Sequence, residues 1–412
     1  MKKHLLFLFA ALLPLLASAQ TKVEIDGIWY NLNTYEAEKS AWVTSGNYYT
    51  GSITIPATVT HEGVDYSVTN IGEYAFYDCQ DLTDITIPES VTNISFSAFE
   101  NCRNLTTINF PENSQLTSIG SGAFRDCDKL TAITIPEGVT MIGNYAFSSC
   151  DNLTAITLPE GVTKIEDHAF AYCKNIGDIT IPESVTSIGD YAFAGCDNLT
   201  TITIPESVTS IGDYAFSGCN NLTTVTFHEN SQLTSIGEWA FDSCNSLTAI
   251  TLPESVMSIG GHAFWSCDNL TDITIPESVM SIGRYAFYCC YGLTTMTIPE
   301  GVTKIEDHAF AYCKNIGDIT IPESVTSIGD YAFYGCFLVT DNFVNNSACS
   351  SPDYWGATLC DKECDGILIK DDTVIICRSY VTSATIPEGV TSIGEEAFDY
   401  CSSLITITFP RV

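Results

Sequence analysis

LTTITIPESVTSIGDYAFSGCNN, from Leu199 to Asn221, is one copy of a 23-residue unit that recurs along most of the chain. An Ala-Phe pair marks the register of each copy. All but two of the steps between the first twelve marker phenylalanines equal this period, and the two exceptions are longer by two positions. A fixed period in this range predicts stacked repeats that share one core. The markers are Phe76, Phe99, Phe124, Phe147, Phe170, Phe193, Phe216, Phe241, Phe264, Phe287, Phe310, Phe333 and Phe398.

Each unit predicts one coil of a solenoid. Its Leu-x-x-Ile-x-Ile start alternates with threonine, which is typical of a strand with one buried face. Pro205 cannot donate to a strand ladder and ends the strand. The segment Asp213–Ser217 is predicted to form a short helical turn that buries Phe216. The sequence therefore predicts a right-handed parallel β-solenoid with short helical turns and about 13 coils of 23 residues.

The full pattern, LTxIxIPExVxxIGxYAFxxC, resembles the BspA-like leucine-rich repeats of bacterial surface antigens. The resemblance covers roughly residues 50 to 410. Ser207 and Thr209 lie where the general leucine-rich repeat consensus has Asn or Cys and Leu, so the likeness is to the BspA-like form. The resemblance implies a leucine-rich-repeat-like solenoid and a non-enzymatic adhesin or interaction scaffold, on the cell surface or in the medium.

Five segments are predicted along the chain. Residues 1–19 have a basic start, an apolar run and a small-residue Ala-Ser-Ala end, which is typical of a secretory signal peptide. We therefore expect a secreted or cell-surface protein, with no transmembrane segment after cleavage. Residues 20–50, with an Asp26-Gly27 hairpin turn, are predicted to form an N-terminal β cap. The repeats occupy 51–336, an irregular insertion with a β-hairpin around Lys370–Asp372 occupies 337–381, and a final repeat coil occupies 382–412.

Within the repeats, the segment Pro159–Phe193 is identical to the later segment Pro299–Phe333. The distance from Pro159 to Pro299 equals six whole coils, one of them a long coil, so the copy preserves the register. Because each coil contacts only its neighbours, whole coils can be added as units.

The chain is strongly acidic. Its formal net charge is −34, and removing Lys2 and Lys3 with the signal peptide makes it −36. This charge argues against nucleic acid as a partner. Two interpretations of the acidic columns stay open: a solvated face, or weak binding of divalent cations. One column follows the strand prolines (Glu89, Glu137, Glu160, Glu183, Glu206, Glu254, Glu277, Glu300, Glu323) and the other precedes the turn (Asp167, Asp190, Asp213, Asp307, Asp330).

The 18 cysteines fall into two groups. One column, three positions after each marker phenylalanine, is expected to be a buried ladder of reduced thiols, because parallel Cβ vectors do not suit disulfides. Its members are Cys79, Cys102, Cys127, Cys150, Cys173, Cys196, Cys219, Cys244, Cys267, Cys290, Cys313, Cys336 and Cys401. In the insertion we expect one or two disulfides of unknown pairing among Cys349, Cys360, Cys364 and Cys377.

Nothing in the sequence predicts an enzyme. No nucleophile elbow, phosphate loop or paired metal-ligand motif is present, so no cofactor or metal site is predicted. The histidines in the repeats, among them His168, His262 and His308, are interpreted as surface substitutions.

The exposed side of the strands is the candidate interaction face. Threonine has a high β propensity and pairs across strands, so a structural role would also explain the column. Two functional hypotheses stay open: an interaction scaffold for extracellular proteins, and a carbohydrate-binding or polysaccharide-processing accessory protein. Aromatic side chains are nearly absent from these strand positions, and Trp239, Trp265 and Trp355 lie elsewhere, which favours protein partners while leaving glycans open. The candidate residues are Asp84, Thr86, Thr134, Thr157, Asp178, Thr180, Thr201, Thr203, Thr226, Thr251, Asp272, Thr274, Thr297, Asp318 and Thr320.

Overall fold

A computed structural model describes residues 21–34, 39–46, 48–340, 343–349, 355–399 and 401–410. The predicted signal peptide, residues 1–19, lies outside the described residues. Across the described ranges the chain forms a parallel β-solenoid of about 16 turns, built from strands and turns without a helix. The predicted solenoid is confirmed, but it has more coils than expected and no helical turns.

Each regular repeat contributes a two-residue strand, and all of them except the one containing residues 177–181 also contribute a longer strand. The Leu-x-x-Ile segments give β7 (Leu82–Thr86), β9 (Thr107–Asn109), β11 (Ala132–Thr134), β13 (Ala155–Thr157), β16 (Thr201–Ile204), β18 (Thr224–Phe227), β20 (Ala249–Thr251), β22 (Asp272–Thr274), β24 (Thr295–Thr297) and β26 (Asp318–Ile321). The residues before the recurring turn give β8 (Asn93–Ile94), β10 (Ser118–Ile119), β12 (Met141–Ile142), β14 (Lys164–Ile165), β15 (Ser187–Ile188), β17 (Ser210–Ile211), β19 (Ser235–Ile236), β21 (Ser258–Ile259), β23 (Ser281–Ile282), β25 (Lys304–Ile305) and β27 (Ser327–Ile328).

Two hairpins precede the regular repeats. β1 (Thr21–Ile25) and β2 (Ile28–Asn33) are antiparallel around Asp26-Gly27, as the sequence predicts, and β3 (Ser40–Val43) extends them. β4 (Gly51–Thr54) begins the ladder of longer strands. β5 (Thr58–His61) and β6 (Val64–Ile71) form a second hairpin, and β6 leads into the two-residue strands through β8.

The segment around the marker phenylalanine is a series of tight turns rather than a helical turn. The N–H groups of Tyr214, Phe216 and Gly218 donate to carbonyls of the next coil at 2.8 Å each. The N–H groups of Ser217 and Cys219, which alternate with these donors, close turns within the coil. A helix would direct these donors along its own axis. The alternating pattern therefore excludes a helix, because half of the N–H groups donate to carbonyls of the neighbouring coil instead of to carbonyls of their own segment.

The core is a set of columns that run the length of the stack. The marker phenylalanines from Phe76 to Phe333 stack nearly parallel, with ring centroids 4.8 to 5.7 Å apart. Beside them, the thiol of each column cysteine from Cys102 to Cys336 donates to the carbonyl of a marker phenylalanine one coil earlier, at 3.0 to 3.2 Å. The cysteines thus fill the core and also bind adjacent coils together.

The segment predicted to be an irregular insertion continues the stack in altered form. β29 (Phe343–Asn345) pairs in parallel with β26, and β28 (Phe337–Val339) pairs with β30 (Thr358–Cys360). Trp355 takes the place of a marker phenylalanine: its carbonyl accepts from the N–H of Phe333 at 3.0 Å and its ring centroid lies 6.1 Å from that ring. This coil was missed from the sequence because no Ala-Phe pair marks it.

The C-terminal coils begin with the predicted hairpin. β31 (Lys362–Cys364), β32 (Ile367–Lys370) and β33 (Thr373–Cys377) are antiparallel, and β33 pairs in parallel with β35 (Ser392–Ile393). β34 (Ser383–Thr385) pairs with β36 (Thr406–Thr408). The carbonyl of Cys377 accepts from the thiol of Cys401 at 2.9 Å, which is the role of a phenylalanine carbonyl in the regular repeats.

A buried arginine attaches this C-terminal part to the regular repeats. Arg378 is 1% exposed, and its guanidinium donates to the carbonyls of Lys314 at 2.8 Å and Ile316 at 3.1 Å. The same group pairs with the carboxylate of Glu363 at 3.0 Å. Because Arg378 donates hydrogen bonds to the regular repeats and pairs with a carboxylate of the C-terminal part, it fixes their relative position.

The phenylalanine column gives a stability prediction. Phe216 is fully buried between Phe193 at 5.4 Å and Phe241 at 5.3 Å, so Phe216→Ala should lower the free energy of unfolding by about 3–5 kcal/mol. Denaturant unfolding followed by circular dichroism measures the change. Thr203→Ala on the exposed side of the same coil is the control, with an expected change within about 0.5 kcal/mol. Equal losses in the two variants would contradict a core built on this column.

Candidate functional site

The candidate interaction face is formed by the solvent-facing residues of the longer strands. Parallel pairing places Thr134 opposite Thr157 and Thr203 opposite Thr226, so the structure brings members of one column side by side. Of the 15 candidate residues, Asp84 and Thr86 are half-buried and the others are exposed. The structure thus presents equivalent polar groups on successive coils.

This face is not one continuous sheet. The longer strands are divided into short groups, among them β4-β7-β9, β11-β13, β16-β18 and β20-β22. The two-residue strands from β14 to β27 form an unbroken eight-stranded ladder instead. The continuous backbone ladder therefore lies away from the candidate face.

Two of the interruptions coincide with the two long coils. One shallow cleft of about 490 Å³ lies between β9 and β11, lined by Phe110, Glu112 and Thr134 among others. The second, of about 470 Å³, lies between β18 and β20 at the equivalent position, and Phe227 and Thr251 help to line it. Each long coil thus coincides with a shallow cleft in the face.

Asp178 shows how a candidate residue can have a structural role. Its carboxylate accepts hydrogen bonds from the N–H groups of Thr200 at 3.1 Å and Thr201 at 2.9 Å, and from the Thr200 hydroxyl at 2.9 Å. These bonds take the place of a strand ladder at 177–181, which is not a strand. We therefore expect Asp272 and Asp318, but not Asp178, to be available for binding a partner.

The column of aspartates before the turn also binds successive coils together. One carboxylate oxygen of Asp190 accepts from the N–H of Asp213 at 2.8 Å, and Asp167, Asp213 and Asp307 make the same bond to the following coil at 2.7 to 3.0 Å. Within the described residues, no group of three or more His, Cys, Asp or Glu side chains could hold a metal ion. These carboxylates are therefore explained by backbone pairing as well as by solvation.

A second aromatic column, which was missed from the sequence, runs along the outside of the turns. We call Tyr145, His168, Tyr191, Tyr214, Trp239, His262, Tyr285, His308 and Tyr331 the outer ladder. Successive ring centroids lie 3.8 to 5.6 Å apart, with interplanar angles of 32° or less. All nine residues have φ between 56° and 59°, the left-handed region that side chains usually avoid. Stacking offsets that cost, as do the inter-coil hydrogen bonds that the N–H groups of the ladder residues from Tyr145 to His308 donate.

The ladder histidines replace tyrosines at a repeat position, as the sequence indicates, but their rings are also packed rather than simply solvated. His168, His262 and His308 are half-buried between aromatic rings, and no hydrogen-bond partner among the described residues reaches their buried Nδ1 atoms. Burial lowers the pKa of His168 and His308, and burial with the nearby Arg284 lowers that of His262 to about 4. The rings therefore stack in the neutral form. The alignment of these histidines with tyrosines at the repeat period was the signal available in the sequence.

The cysteine column behaves as the sequence predicts. All 18 cysteines lie within the described residues and are free thiols. Burial raises the pKa of Cys173 and Cys219 to about 12. Since the thiolate is the reactive form, the column should be inert while the protein is folded.

The disulfides expected in the insertion are absent from the structure, and the fold gives the reason. Cys364 lies opposite Ile367, which lies opposite Cys377 on its other side, so the two cysteines are two strand spacings apart, about 10 Å. Disulfides need Cα atoms within about 7 Å. Cys360 belongs to a different apolar cluster, and Cys349 packs against the main core.

Comparison with known proteins identifies similar sequences and folds. The model of the BspA-type leucine-rich repeat region, in six copies, matches residues 52–177, 164–280, 221–340 and 374–412. Curated proteins provide no match to the chain. Among the described residues, none forms a helix long and apolar enough to cross a membrane.

Several solved structures share the fold. A leucine-rich cell surface protein from Faecalibacterium prausnitzii is 30% identical, with 95% of each chain covered and a TM-score of 0.54. A leucine-rich repeat protein from Bacteroides ovatus is 28% identical over 77% of this chain and 94% of its own, with a TM-score of 0.52. The pneumococcal vaccine antigen PcpA, 19% identical over 95% of this chain and 99% of its own, shows the same fold with a TM-score of 0.53.

Thiol counting tests the account of the cysteines. In the folded protein we expect slow labelling at the half-buried Cys289, Cys349 and Cys364, and protection of the buried column. Denaturation without reductant should release all 18 thiols. Fewer than 18 free thiols, with the missing ones mapped by mass spectrometry to the insertion, would show that the disulfides predicted from the sequence form there.

The outer ladder predicts a pH dependence. Since His262 has a lower pKa folded than its ordinary value of 6.5, the unfolded chain binds its proton first as the pH falls. The stability from neutral His262 is therefore present above pH 6.5 and is lost toward pH 4. The melting temperature should fall more between pH 7 and pH 5 in the wild type than in His262→Phe, which keeps a ring in the ladder. Identical pH profiles would show that His262 does not couple protonation to folding.

Proposed function

Because the chain belongs to the BspA-type leucine-rich repeat proteins, we propose that it is a non-enzymatic scaffold that binds extracellular proteins of a host or of neighbouring cells. Its location in this proposal is the cell surface or the medium. The description of the Faecalibacterium prausnitzii relative as a cell surface protein supports that location. The signal-peptide-like residues 1–19 point the same way.

The observation that carries the proposal is the repetition of the candidate face. Exposed threonines recur in register on successive coils, for example Thr251 opposite Thr274 and Thr297 opposite Thr320. The clefts on this face are shallow and are lined by parts of the repeat itself. Such a surface suits an extended partner, with weak contacts per coil that gain strength by number.

Deletions in register test this proposal. Removing residues 182–204 joins Ile181 to Pro205 with one coil fewer, and removing 159–298 joins Leu158 to Pro299 with six fewer. Binding to immobilised mammalian extracellular-matrix proteins should weaken by less than about tenfold for the short deletion and by more for the long one. Surface plasmon resonance of the two variants and the intact chain, each shown to be folded by circular dichroism, gives the series.

Two results would contradict a distributed face. Loss of all binding in the folded short deletion would place a localised site near residues 182–204. Unchanged binding in both deletions would place the contact in the N-terminal cap or in residues 337–381.

A further inference from the structure

A row of aromatic and polar side chains crosses the outer surface of the N-terminal sheet. Strand pairing places Asn31 of β2 opposite Trp42 of β3, and Trp42 opposite Asn70 of β6. Asn93 of β8 continues the row in the next coil. A tryptophan among carboxamides is a local departure from the repeat. From Ser118 to Ser327 the same row holds serine, except at Met141, Lys164 and Lys304.

The row lines a shallow cleft of about 370 Å³, which we call the N-terminal cleft. The half-buried ring of Trp42 lies beside Gly72, where an added Cβ atom would lie 3.2 Å from it. Among the described lining residues, Glu73 is the one that carries a charge. The N-terminal cleft thus joins an aromatic ring to carboxamide and hydroxyl groups. Its polar lining residues are Asn31, Thr44, Asn70, Glu73 and Ser95.

Several of these polar groups are available to a ligand. Among the described residues, the carboxamide of Asn31 and the indole N–H of Trp42 have no hydrogen-bond partner. The carboxamide of Asn70 accepts one long bond, from a threonine hydroxyl at 3.4 Å. In contrast, the carboxamide of Asn93, one coil further, donates to the Ser95 hydroxyl at 2.8 Å. The unused hydrogen-bonding capacity of the row is therefore concentrated in the N-terminal cleft.

An exposed aromatic pair borders the N-terminal cleft. Tyr74 and Phe96 directly follow the lining residues Glu73 and Ser95 in the chain, and they are 45% and 46% exposed. Their ring centroids lie 5.3 Å apart, edge to face. Phe96 occupies the position at which Asp190 binds the following coil. Since the stack uses a carboxylate there in later coils, coil packing does not require an aromatic ring at this position.

The chemistry of the N-terminal cleft favours an uncharged ligand that carries many hydroxyl groups. Its described lining residues include no lysine or arginine that could pair with an anion. Carboxamides and hydroxyls both donate and accept hydrogen bonds, as sugar hydroxyls do. Aromatic rings such as those of Trp42 and Phe96 suit the C–H faces of sugar rings. Together these properties indicate a saccharide.

Backbone pairing argues against an added peptide strand at the same place. β3 pairs with β2 and β6, and β6 pairs with β8, so the N-terminal cleft lies in the interior of an eight-stranded sheet. Main-chain recognition of an extended peptide needs an unpaired strand edge. A ligand here must therefore be recognised by side chains.

We propose that the N-terminal cleft binds an uncharged oligosaccharide. One sugar ring packs its C–H face on Trp42, and its hydroxyls exchange hydrogen bonds with Asn31 and Asn70. Neighbouring sugar units extend along the cleft toward Phe96. This activity is separate from protein binding by the candidate face and does not depend on it.

Calorimetric titration of the full chain with cellohexaose, mannohexaose and chitohexaose, three uncharged oligosaccharides, tests the proposal. At least one of them should bind, with an affinity that does not depend on salt. Trp42→Ala should weaken that binding about tenfold, and Asn31→Ala about fivefold. The matched control is Asn109→Ala, which removes an exposed carboxamide from β9 and should leave the affinity within about twofold.

Unfolding curves of each variant control for loss of fold. Asn31→Ala should unfold as the wild type does, because its carboxamide has no partner among the described residues. The variant lacking residues 159–298 separates this proposal from the proposed function, since it retains the N-terminal cleft. Its affinity for the oligosaccharide should equal that of the intact chain, whatever happens to its binding of matrix proteins.

Four results would overturn the proposal. The first is absence of binding of all three oligosaccharides to the wild type. The second is equal weakening by Asn31→Ala and Asn109→Ala. The third is loss of oligosaccharide binding in the folded deletion variant, which would place the contact in the repeats. The fourth is tighter binding of an oligolysine peptide than of any oligosaccharide, lost in Trp42→Ala, which would make the cleft a site for a cationic protein segment.

Discussion

Hydrogen bonding between successive coils is the constraint on which the rest of this structure depends. In each turn, alternate N–H groups such as those of Tyr214 and Phe216 donate to the next coil, and the thiol of Cys219 donates to the carbonyl of Phe193. A coil therefore cannot satisfy its own backbone and is stable only between neighbours. This explains why polar positions of the repeat are placed as regularly as the apolar ones. The hydroxyl of Thr223, for example, donates to the carbonyl of Thr200 at 3.0 Å.

The same constraint distinguishes residues that recur because they hold the coils together from residues that are available to bind a partner. Asp190 and Cys219 recur because they bind coils together, so their columns need no ligand to explain them. The candidate face repeats with the strands and offers similar groups on many coils. Some aromatic side chains of the C-terminal coils, in contrast, depart from the repeat: Tyr288 and Tyr334 lie where Ser148 and Ala194 lie around the first copy of a duplicated segment. Departures from the repeat are where a localised site is best sought.

The features that depend on local pattern could be predicted from the sequence. The period indicated the solenoid, Asp26-Gly27 the first hairpin, and the column of cysteines the buried thiols. The missed features depend on contacts between coils. The left-handed backbone at Tyr214 occurs without glycine because inter-coil bonds hold it, and His262 belongs to a ladder whose members come from successive coils, far apart in the sequence. Trp355 could not be recognised as a core substitute without knowing which coil it covers.

The central claim is that each coil adds length to the stack without changing its cross-section. Small-angle scattering of the intact chain and of the variant lacking residues 159–298 tests this most directly. Six coils at the ~4.8 Å strand spacing correspond to about 29 Å. The longest dimension should decrease by about this length while the cross-sectional radius stays the same. A change in the cross-section, or an unchanged longest dimension in the folded variant, would contradict the claim.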